Sequence, residues 1–371
     1  MKILKESKVG DTKFTMWKHD DNVCVITDSP KEKIIESKSF NHYLNKVTGF
    51  SAVWGETKND DPDFSPFGPL IFDVEISTIC SQKCSFCYKS NTKDGTSMSL
   101  DTWKQIISKL PPTVGQIAFG IGGVQECKDL QPILWHTRKQ DIVPNITING
   151  SHLTEAWFQE FANVLGAIAI SDYNRDNTLY CIDRLNYWKQ KENATLQQIN
   201  IHKVLSQNSI NDCWELLHSF KENKDGQFDA LNAIVFLSLK EKGNRNKDKS
   251  LRDFQAYKEL IDFALDNNLP IGFDSCGCRN FIRAVQDRDN FQELQQVSEP
   301  CESGIGSGYL NVDGVFHFCS FCEGEDISPG IDMLEIDDFL TDVWYHPTTN
   351  QWRKKLLAKN RECLPFDLSM E

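Results

Sequence analysis

Short apolar runs rich in β-branched residues alternate with longer segments of helical spacing between residues 70 and 267. Six of the runs have the length and composition of strands: Leu70–Ile76, Gly115–Ile121, Pro144–Ile148, Ala167–Ser171, Gln198–Leu205 and Ala230–Leu239. Six segments have the apolar spacing of helices: 99–110, 128–140, 153–164, 176–191, 209–221 and 252–267. Six βα units in series predict a parallel sheet with right-handed crossovers, which forms an open or closed barrel.

The two ends of the chain have different patterns. Near the start, two β-prone runs at 13–18 and 23–27 flank Asp20-Asp21-Asn22 and predict a β-hairpin. After Pro270 the pattern changes to short strands, glycines and cysteines. The chain is therefore predicted to have three parts, an N-terminal extension (1–69), an α/β unit (70–269) and a smaller cysteine-rich C-terminal domain (270–371).

The net charge of the chain limits the classes of partner that it can bind. The formal net charge is -13 and the pI about 5.2, so the average surface repels phosphate backbones and anionic lipid headgroups. This argues against a nucleic-acid or membrane partner. No apolar run has the length of a signal peptide or a membrane span, and we expect a cytoplasmic protein.

Thirteen cysteines are many for a reducing compartment, where clustered thiols more often bind metal than form disulfides. Cys24, Cys127, Cys181 and Cys213 occur singly in apolar or helical stretches, and we interpret them as buried structural residues. The other nine form an early group of three and a late group of six.

The early group lies directly after the first predicted strand of the α/β unit, in the run Cys80-Ser81-Gln82-Lys83-Cys84-Ser85-Phe86-Cys87. In barrel enzymes, the catalytic residues lie on loops at the carboxyl ends of the strands. Cysteine thiolates are the usual ligands of iron-sulfur clusters, and three of them leave one iron of a four-iron cluster open. The alternatives are three thiols without a function and a zinc site, which requires a fourth ligand that is not close in sequence.

The spacing of three and then two residues between these cysteines, with Phe86 before the last, resembles the motif of the radical S-adenosylmethionine superfamily. The resemblance extends over roughly residues 70 to 270. It implies a partial (βα)6 TIM-like barrel, a 4Fe-4S cluster on Cys80, Cys84 and Cys87, and S-adenosylmethionine as cofactor. It also implies reductive cleavage to a 5'-deoxyadenosyl radical, hydrogen abstraction from a peptide or small polar substrate, and a reductant such as flavodoxin or ferredoxin.

The resemblance also suggests cofactor-binding positions: Phe86, Gly122, Gly123, Glu126, Asn149, Ser171 and His202. The glycines resemble the segment that meets the amino group of the cofactor, although two extra residues separate them from Glu126, and a simple turn is the alternative. Ser171 ends the fourth strand at the position of the ribose-binding hydroxyl. His202 lies on the fifth strand, where a structural histidine is the alternative.

The late group surrounds a predicted hairpin whose turn is Asp313-Gly314 and whose second strand leads to a CxxC, Cys319 to Cys322. This segment resembles the opening half of SPASM and twitch extensions, which carry auxiliary iron-sulfur clusters. The resemblance implies one second 4Fe-4S cluster. The predicted ligands are Cys276, Cys301, Cys319 and Cys322, with Cys278 and Cys363 competing for places. Structural zinc is the alternative, since paired cysteines on hairpins also bind zinc.

Two other functions are compatible with these motifs. One is a radical S-adenosylmethionine enzyme that modifies a nucleotide or nucleic acid, against which the acidic balance argues. The other is an electron-transfer or sensor protein with clusters but no catalysis. Six βα units and a glycine segment argue against a bare cluster carrier. The charged loop 243–250 is predicted to be a solvated connection.

Overall fold

The computed structural model describes residues 2–371. The N-terminal part is a six-stranded antiparallel sheet in which each strand pairs with the next along the chain. Its strands are β1 (Lys2–Val9), β2 (Thr12–His19), β3 (Asn22–Asp28), β4 (Glu32–Glu36), β5 (Asn41–Asn45) and β6 (Ser51–Trp54). The predicted hairpin is present as β2 and β3. The prediction that the N-terminal extension contains only this hairpin is wrong, because the extension is a sheet of six strands. Pattern reading missed the others because β1 is exposed along its whole length and shows no alternation, while β4 to β6 are short.

A second sheet contains all six strands predicted for the α/β unit, and their ends agree with the prediction within three residues. Its first seven strands are β7 (Ile71–Glu75), β8 (Gln116–Gly120), β9 (Val143–Ile148), β10 (Ala167–Ser171), β11 (Gln198–Leu205), β12 (Ala233–Ser238) and β13 (Ile271–Phe273). The helices between and after them are α1 (Leu100–Ile107), α2 (Leu130–Lys139), α3 (Glu155–Val164), α4 (Arg175–Lys189), α5 (Ile210–Glu222) and α6 (Phe254–Asp266). Strands β7 to β13 lie in chain order and all pair in parallel, as serial right-handed βα units require.

The C-terminal part joins the same sheet. Its elements are α7 (Cys278–Val285), α8 (Phe291–Gln296), β14 (Ser307–Leu310), β15 (Val315–His317), β16 (Ile331–Asp332), a π-helix (Leu340–Trp344) and α9 (Pro347–Ala358). Strand β14 pairs in parallel with β7, and β15 and β16 extend the sheet to ten strands. The hairpin predicted around Gly314 is present as β14 and β15, with Gly314 at φ +80°. The predicted boundary at residue 270 therefore lies within one continuous sheet.

Apolar side chains from the second sheet, its helices and the C-terminal part form one large core. Trp103 on α1 is fully buried, and its indole N–H donates to the Thr137 hydroxyl at 2.9 Å, so its one polar group is satisfied. The four single cysteines are buried as predicted, three of them in this core and Cys24 in the smaller core of the N-terminal sheet.

The N-terminal sheet contacts the segment that leads into β8 through the buried Lys33 on β4. Its Nζ donates to the carbonyls of Pro112 and Val114, both at 3.0 Å, and forms an ion pair with Asp28 at 3.2 Å. Burial lowers the pKa of this ammonium, so the carbonyls and the carboxylate are what keep it charged. One side chain thus joins a polar group of the N-terminal sheet to two carbonyls of the segment before β8.

Replacing Lys33 by Met is expected to lower the free energy of unfolding by about 3 kcal/mol, because it leaves the carbonyls of Pro112 and Val114 without this donor and removes one of the two ammonium groups that pair with Asp28. The exposed Lys31 is the matched control, and Lys31→Met should change stability by less than about 0.5 kcal/mol. Urea titrations of the two variants provide the comparison. Equal stability would mean that the contact with this segment does not depend on this ammonium.

No helix in the described range, 2–371, is long and apolar enough to cross a membrane.

Candidate functional site

The candidate site residues lie at the carboxyl ends of the parallel strands. The first cysteine loop follows β7, the glycine segment follows β8, Asn149 follows β9, and Ser171 is the last residue of β10. Because parallel strands all end at the same edge, the loops after these four strands meet here. Substrate and cofactor sites of such sheets are found at this edge.

The early thiols lie close enough to influence one another electrostatically. Burial, rather than any neighbouring charge, is the main cause that raises the pKa of Cys80 and Cys84. Cys80 is anchored by its own backbone N–H, which donates to the carbonyl of Thr92 at 2.9 Å. The backbone N–H of Cys87 donates to the carbonyl of Cys84 at 3.4 Å, which closes a tight turn between these two cysteines. The loop thus presents three thiols on one short piece of backbone.

The glycine segment packs directly against the first cysteine loop. A methyl group at Gly122 would overlap the carbonyl of Ile79 and lie 2.6 Å from Cβ of Cys80, so only glycine fits there. Both carboxylate oxygens of Glu126 accept from the backbone N–H of Ser81 at 3.2 Å. The segment therefore positions the cysteine loop, and the Glu126 carboxylate is used for that contact.

Ser171 is buried and shares a hydrogen bond with the hydroxyl of Tyr173, two residues further on. The ring of Tyr173 lies edge-on to Phe86, with 5.1 Å between ring centres, and lies near all three early thiols. Asn149 donates to the carbonyl of Gly122 at 3.3 Å and accepts from the backbone N–H of Ser151 at 2.9 Å. Sequence reasoning missed Tyr173, although its place directly after the end of β10 was a usable signal.

His202 lies beside Ser171 in the sheet, and its carbonyl accepts from the backbone N–H of Asp172 at 2.9 Å. It lines a cavity of about 240 Å³ together with Asn145 and Asn200, toward the amino ends of the strands. The cavity is bordered by Thr48 from the turn between β5 and β6, whose carbonyl accepts from Gln198 at 2.6 Å. Burial lowers the pKa of His202 to about 4, so the imidazole is neutral near pH 7. Its surroundings are those of a neutral polar group inside the sheet.

Five of the six late cysteines come together. The thiols of Cys319 and Cys322 are 3.3 Å apart, Cys276 and Cys363 share a hydrogen bond, and Cys301 is close to Cys276, Cys319 and Cys363. The hydrogen bond from Cys363 is the largest cause that lowers the pKa of Cys276, and the same bond raises the pKa of Cys363. The late group therefore offers one thiol more than a four-thiolate cluster uses.

Cys278 does not belong to this late group. It begins α7 with its side chain near Glu299 and Arg361, and burial raises its pKa to about 11. Cys363, in contrast, is brought into the group by the C-terminal tail. The tail is held by Asn280, which donates to the carbonyl of Leu368 at 2.8 Å. Sequence spacing could not distinguish Cys278 from Cys363, because their separation in space depends on this tail.

The two cysteine groups are joined by a polar network. Lys89 follows the first loop and forms ion pairs with Glu75 at the end of β7 and with Glu323, next to Cys322. The hydroxyl of Tyr309 on β14 donates to Glu75 at 3.0 Å. In addition, Tyr88, the neighbour of Cys87, stacks on Phe321 between Cys319 and Cys322, with 4.3 Å between ring centres. These contacts fix the position of one group relative to the other.

The thiols of the early and late cysteine groups fit the two iron-sulfur clusters that the sequence predicts. Three thiols and no carboxylate or imidazole ligand on the first loop match a cluster with one open iron, and the five thiols of the second group exceed the four that a closed cluster takes. Within residues 2–371, no group of three or more His, Cys, Asp or Glu side chains is arranged to hold a single metal ion.

When the chain is compared with known proteins, only solved structures match it, and what they share with it is the fold. No family model and no curated protein sequence matches the chain. Among solved structures, Streptococcus suis SuiB bound to S-adenosylmethionine is 18% identical and covers 77% of this chain and 68% of its own, with a TM-score of 0.60. SuiB bound to the precursor peptide SuiA is 15% identical, with coverage of 88% and 90% and a TM-score of 0.64. The protein anSMEcpe with bound AdoMet and the Kp18Cys peptide is 14% identical, with coverage of 76% and 83% and a TM-score of 0.53. This shared fold agrees with the resemblance drawn from the cysteine motif.

Proposed function

We propose that this chain is a radical S-adenosylmethionine enzyme that acts on a peptide. The observation that carries the proposal is the meeting of three thiols on the loop after β7 with the loops after β8, β9 and β10 at one edge of a parallel sheet. The likeness in fold to proteins that bind S-adenosylmethionine supports it.

Cys80, Cys84 and Cys87 would hold a 4Fe-4S cluster with one open iron, and Cys276, Cys301, Cys319 and Cys322 or Cys363 a second one. When bound there, the first cluster and the cofactor would supply a 5'-deoxyadenosyl radical. The chain itself fixes the cysteine loop through Gly122 and Glu126, and the rings of Phe86 and Tyr173 pack against each other beside it.

A peptide substrate is supported by the peptides bound to SuiB and anSMEcpe. Two cavities lie among the strands of the second sheet, and neither is lined by the early cysteines. One is the 240 Å³ cavity lined by Asn200 and His202, and the other, of about 500 Å³, lies between β13 and β7 and is lined by Asp73 and Glu302. A flavodoxin or ferredoxin is the proposed reductant.

The direct test is anaerobic reconstitution with iron and sulfide, followed by addition of a strong one-electron reductant and S-adenosylmethionine. The expected products are 5'-deoxyadenosine and methionine, formed even without substrate. A protein that takes up a cluster but forms neither product would instead be an electron carrier or sensor.

Ser171→Ala is expected to weaken S-adenosylmethionine binding by about 0.5–1.5 kcal/mol, the value of one neutral hydrogen bond, and to leave the fold intact. Since Ser171 also anchors the Tyr173 hydroxyl, Tyr173→Phe is the matched variant, which removes that anchor and keeps the serine. Equilibrium titration measures both affinities. If the two variants lose the same affinity, Ser171 acts through Tyr173, and if neither changes, the ribose assignment is wrong.

A further inference from the structure

The loop after β12, at residues 243–250, is not a free solvated connection. The backbone of Gly243, at φ +99°, presses against the carbonyl of Cys87, where a methyl group would overlap it. The backbone N–H of Asn244 donates to the Ser90 hydroxyl at 2.8 Å, so the loop is attached to the first cysteine loop at two successive residues. The loop is therefore attached as well as solvated, since Asn244, Lys247 and Lys249 are exposed while its glycine allows a backbone contact that composition does not reveal.

This attachment places Arg245 beside the early thiols. Its Nη2 donates to the carbonyl of Asn91 at 2.8 Å, and the guanidinium is close enough to Cys80 and Cys84 to act on both electrostatically. Cys80 also senses the carboxylate of Glu126. The cysteine loop thus has one fixed positive and one fixed negative charge near it.

Arg245 lacks the partner that its charge requires. Within the described part of the chain it forms no ion pair, and its Nε is buried without an acceptor. An uncompensated and partly buried guanidinium is costly, and proteins usually pair such a charge. In a chain of net charge -13, where carboxylates are plentiful, the missing partner points to an anion that this site is built to receive.

We propose that Arg245 is a positioning residue that raises the reduction potential of the cluster held by Cys80, Cys84 and Cys87. This inference rests on the proposed function. In the one-electron step, an electron from a low-potential donor passes to the oxidised cluster, the donor is oxidised, and the cluster gains one negative charge without taking up a proton. A fixed positive charge at short range stabilises the more negative, reduced form.

The test is an anaerobic redox titration of reconstituted protein, followed by the electron paramagnetic resonance signal of the reduced first cluster, without S-adenosylmethionine. For Arg245→Gln we expect the ratio of reduced to oxidised cluster at a fixed potential to fall about tenfold, a shift of about 59 mV for one electron. Arg245→Lys keeps the charge and should stay near the unmodified protein. Lys247→Gln, an exposed charge in the same loop, is the matched control and should leave the potential unchanged because water screens it.

Each result decides between the inference and an alternative. Equal potentials for Arg245→Gln and unmodified protein overturn it, and if the affinity for S-adenosylmethionine falls in the same variant, the guanidinium binds the cofactor carboxylate instead. Equal losses in Arg245→Gln and Arg245→Lys also overturn it, since the contact with Asn91 rather than the charge would then matter.

Iron and sulfide contents identify variants that load the cluster. If the unmodified protein takes up no first cluster, the proposed function fails and this inference fails with it, whereas a loaded cluster of unchanged potential contradicts the inference alone.

Discussion

Replacing Cys80, Cys84 and Cys87 together by Ala is expected to abolish the release of 5'-deoxyadenosine from S-adenosylmethionine. The three thiols are the ligands that the first loop offers, and they come from one short piece of backbone. The remaining fold should persist, because the loop is attached by backbone contacts at Thr92 and by the side chain of Glu126. Chromatographic detection of 5'-deoxyadenosine after reduction measures the loss.

The same triple variant also reports on the second group. It should retain iron and sulfide in nearly equal amounts, because the late thiols are untouched and a cubane contains four of each. Cys24→Ala, which removes a buried thiol of the N-terminal sheet, is the control and should keep full cleavage. Undiminished cleavage by the triple variant would contradict the assignment of the first site.

Cys276→Ala is expected to release the second cluster and to destabilise the C-terminal part. This residue contacts Cys363 and lies near Cys301 and Cys319, so its loss opens the middle of the group. Since cluster binding contributes directly to folding, we expect a loss of about 3 kcal/mol, which lowers the thermal midpoint by about 4 °C. Iron and sulfide analysis together with thermal unfolding of the loaded protein gives both values.

Cys278 provides the matched control, only two residues away. Its side chain is near Glu299 and Arg361 and away from the other thiols, so Cys278→Ala should keep the second cluster. Single variants of Cys322 and Cys363 then identify the fourth ligand, because only the true ligand makes the cluster labile. A full and stable cluster in Cys276→Ala would show that the ligand set is wrong, and zinc without sulfide would favour the structural metal site.

The elements predicted well are those whose signals are local. Strands such as Ala167–Ser171 are short apolar runs bounded by turns, and their burial on both faces follows from the parallel sheet that they form. The cysteine motif is equally local, so the first site could be located from spacing alone. The Asp313-Gly314 turn carries its own signal, because a glycine there takes up a positive φ without strain.

What the sequence did not reveal depends on distant contacts. Strand β1 has no buried face of its own and is a strand because β2 pairs with it. Cys363 reaches the late thiols because the tail is held on α7, and Arg245 reaches the early thiols because Gly243 lets the backbone approach Cys87. None of these long-range contacts produces a periodic pattern or a residue spacing that could be recognised in the sequence.

The pairing of β14 with β7 also has a kinetic consequence. Tyr309 bonds to Glu75 across 234 residues of chain, and contacts of such sequence separation form late in folding. During synthesis, β7 and its cysteine loop therefore leave the ribosome long before the strand that covers their flank exists. The bonds of Glu75 with Tyr309 and of Lys89 with Glu323, which lie beside this loop, consequently form only after residues as far as Glu323 have emerged.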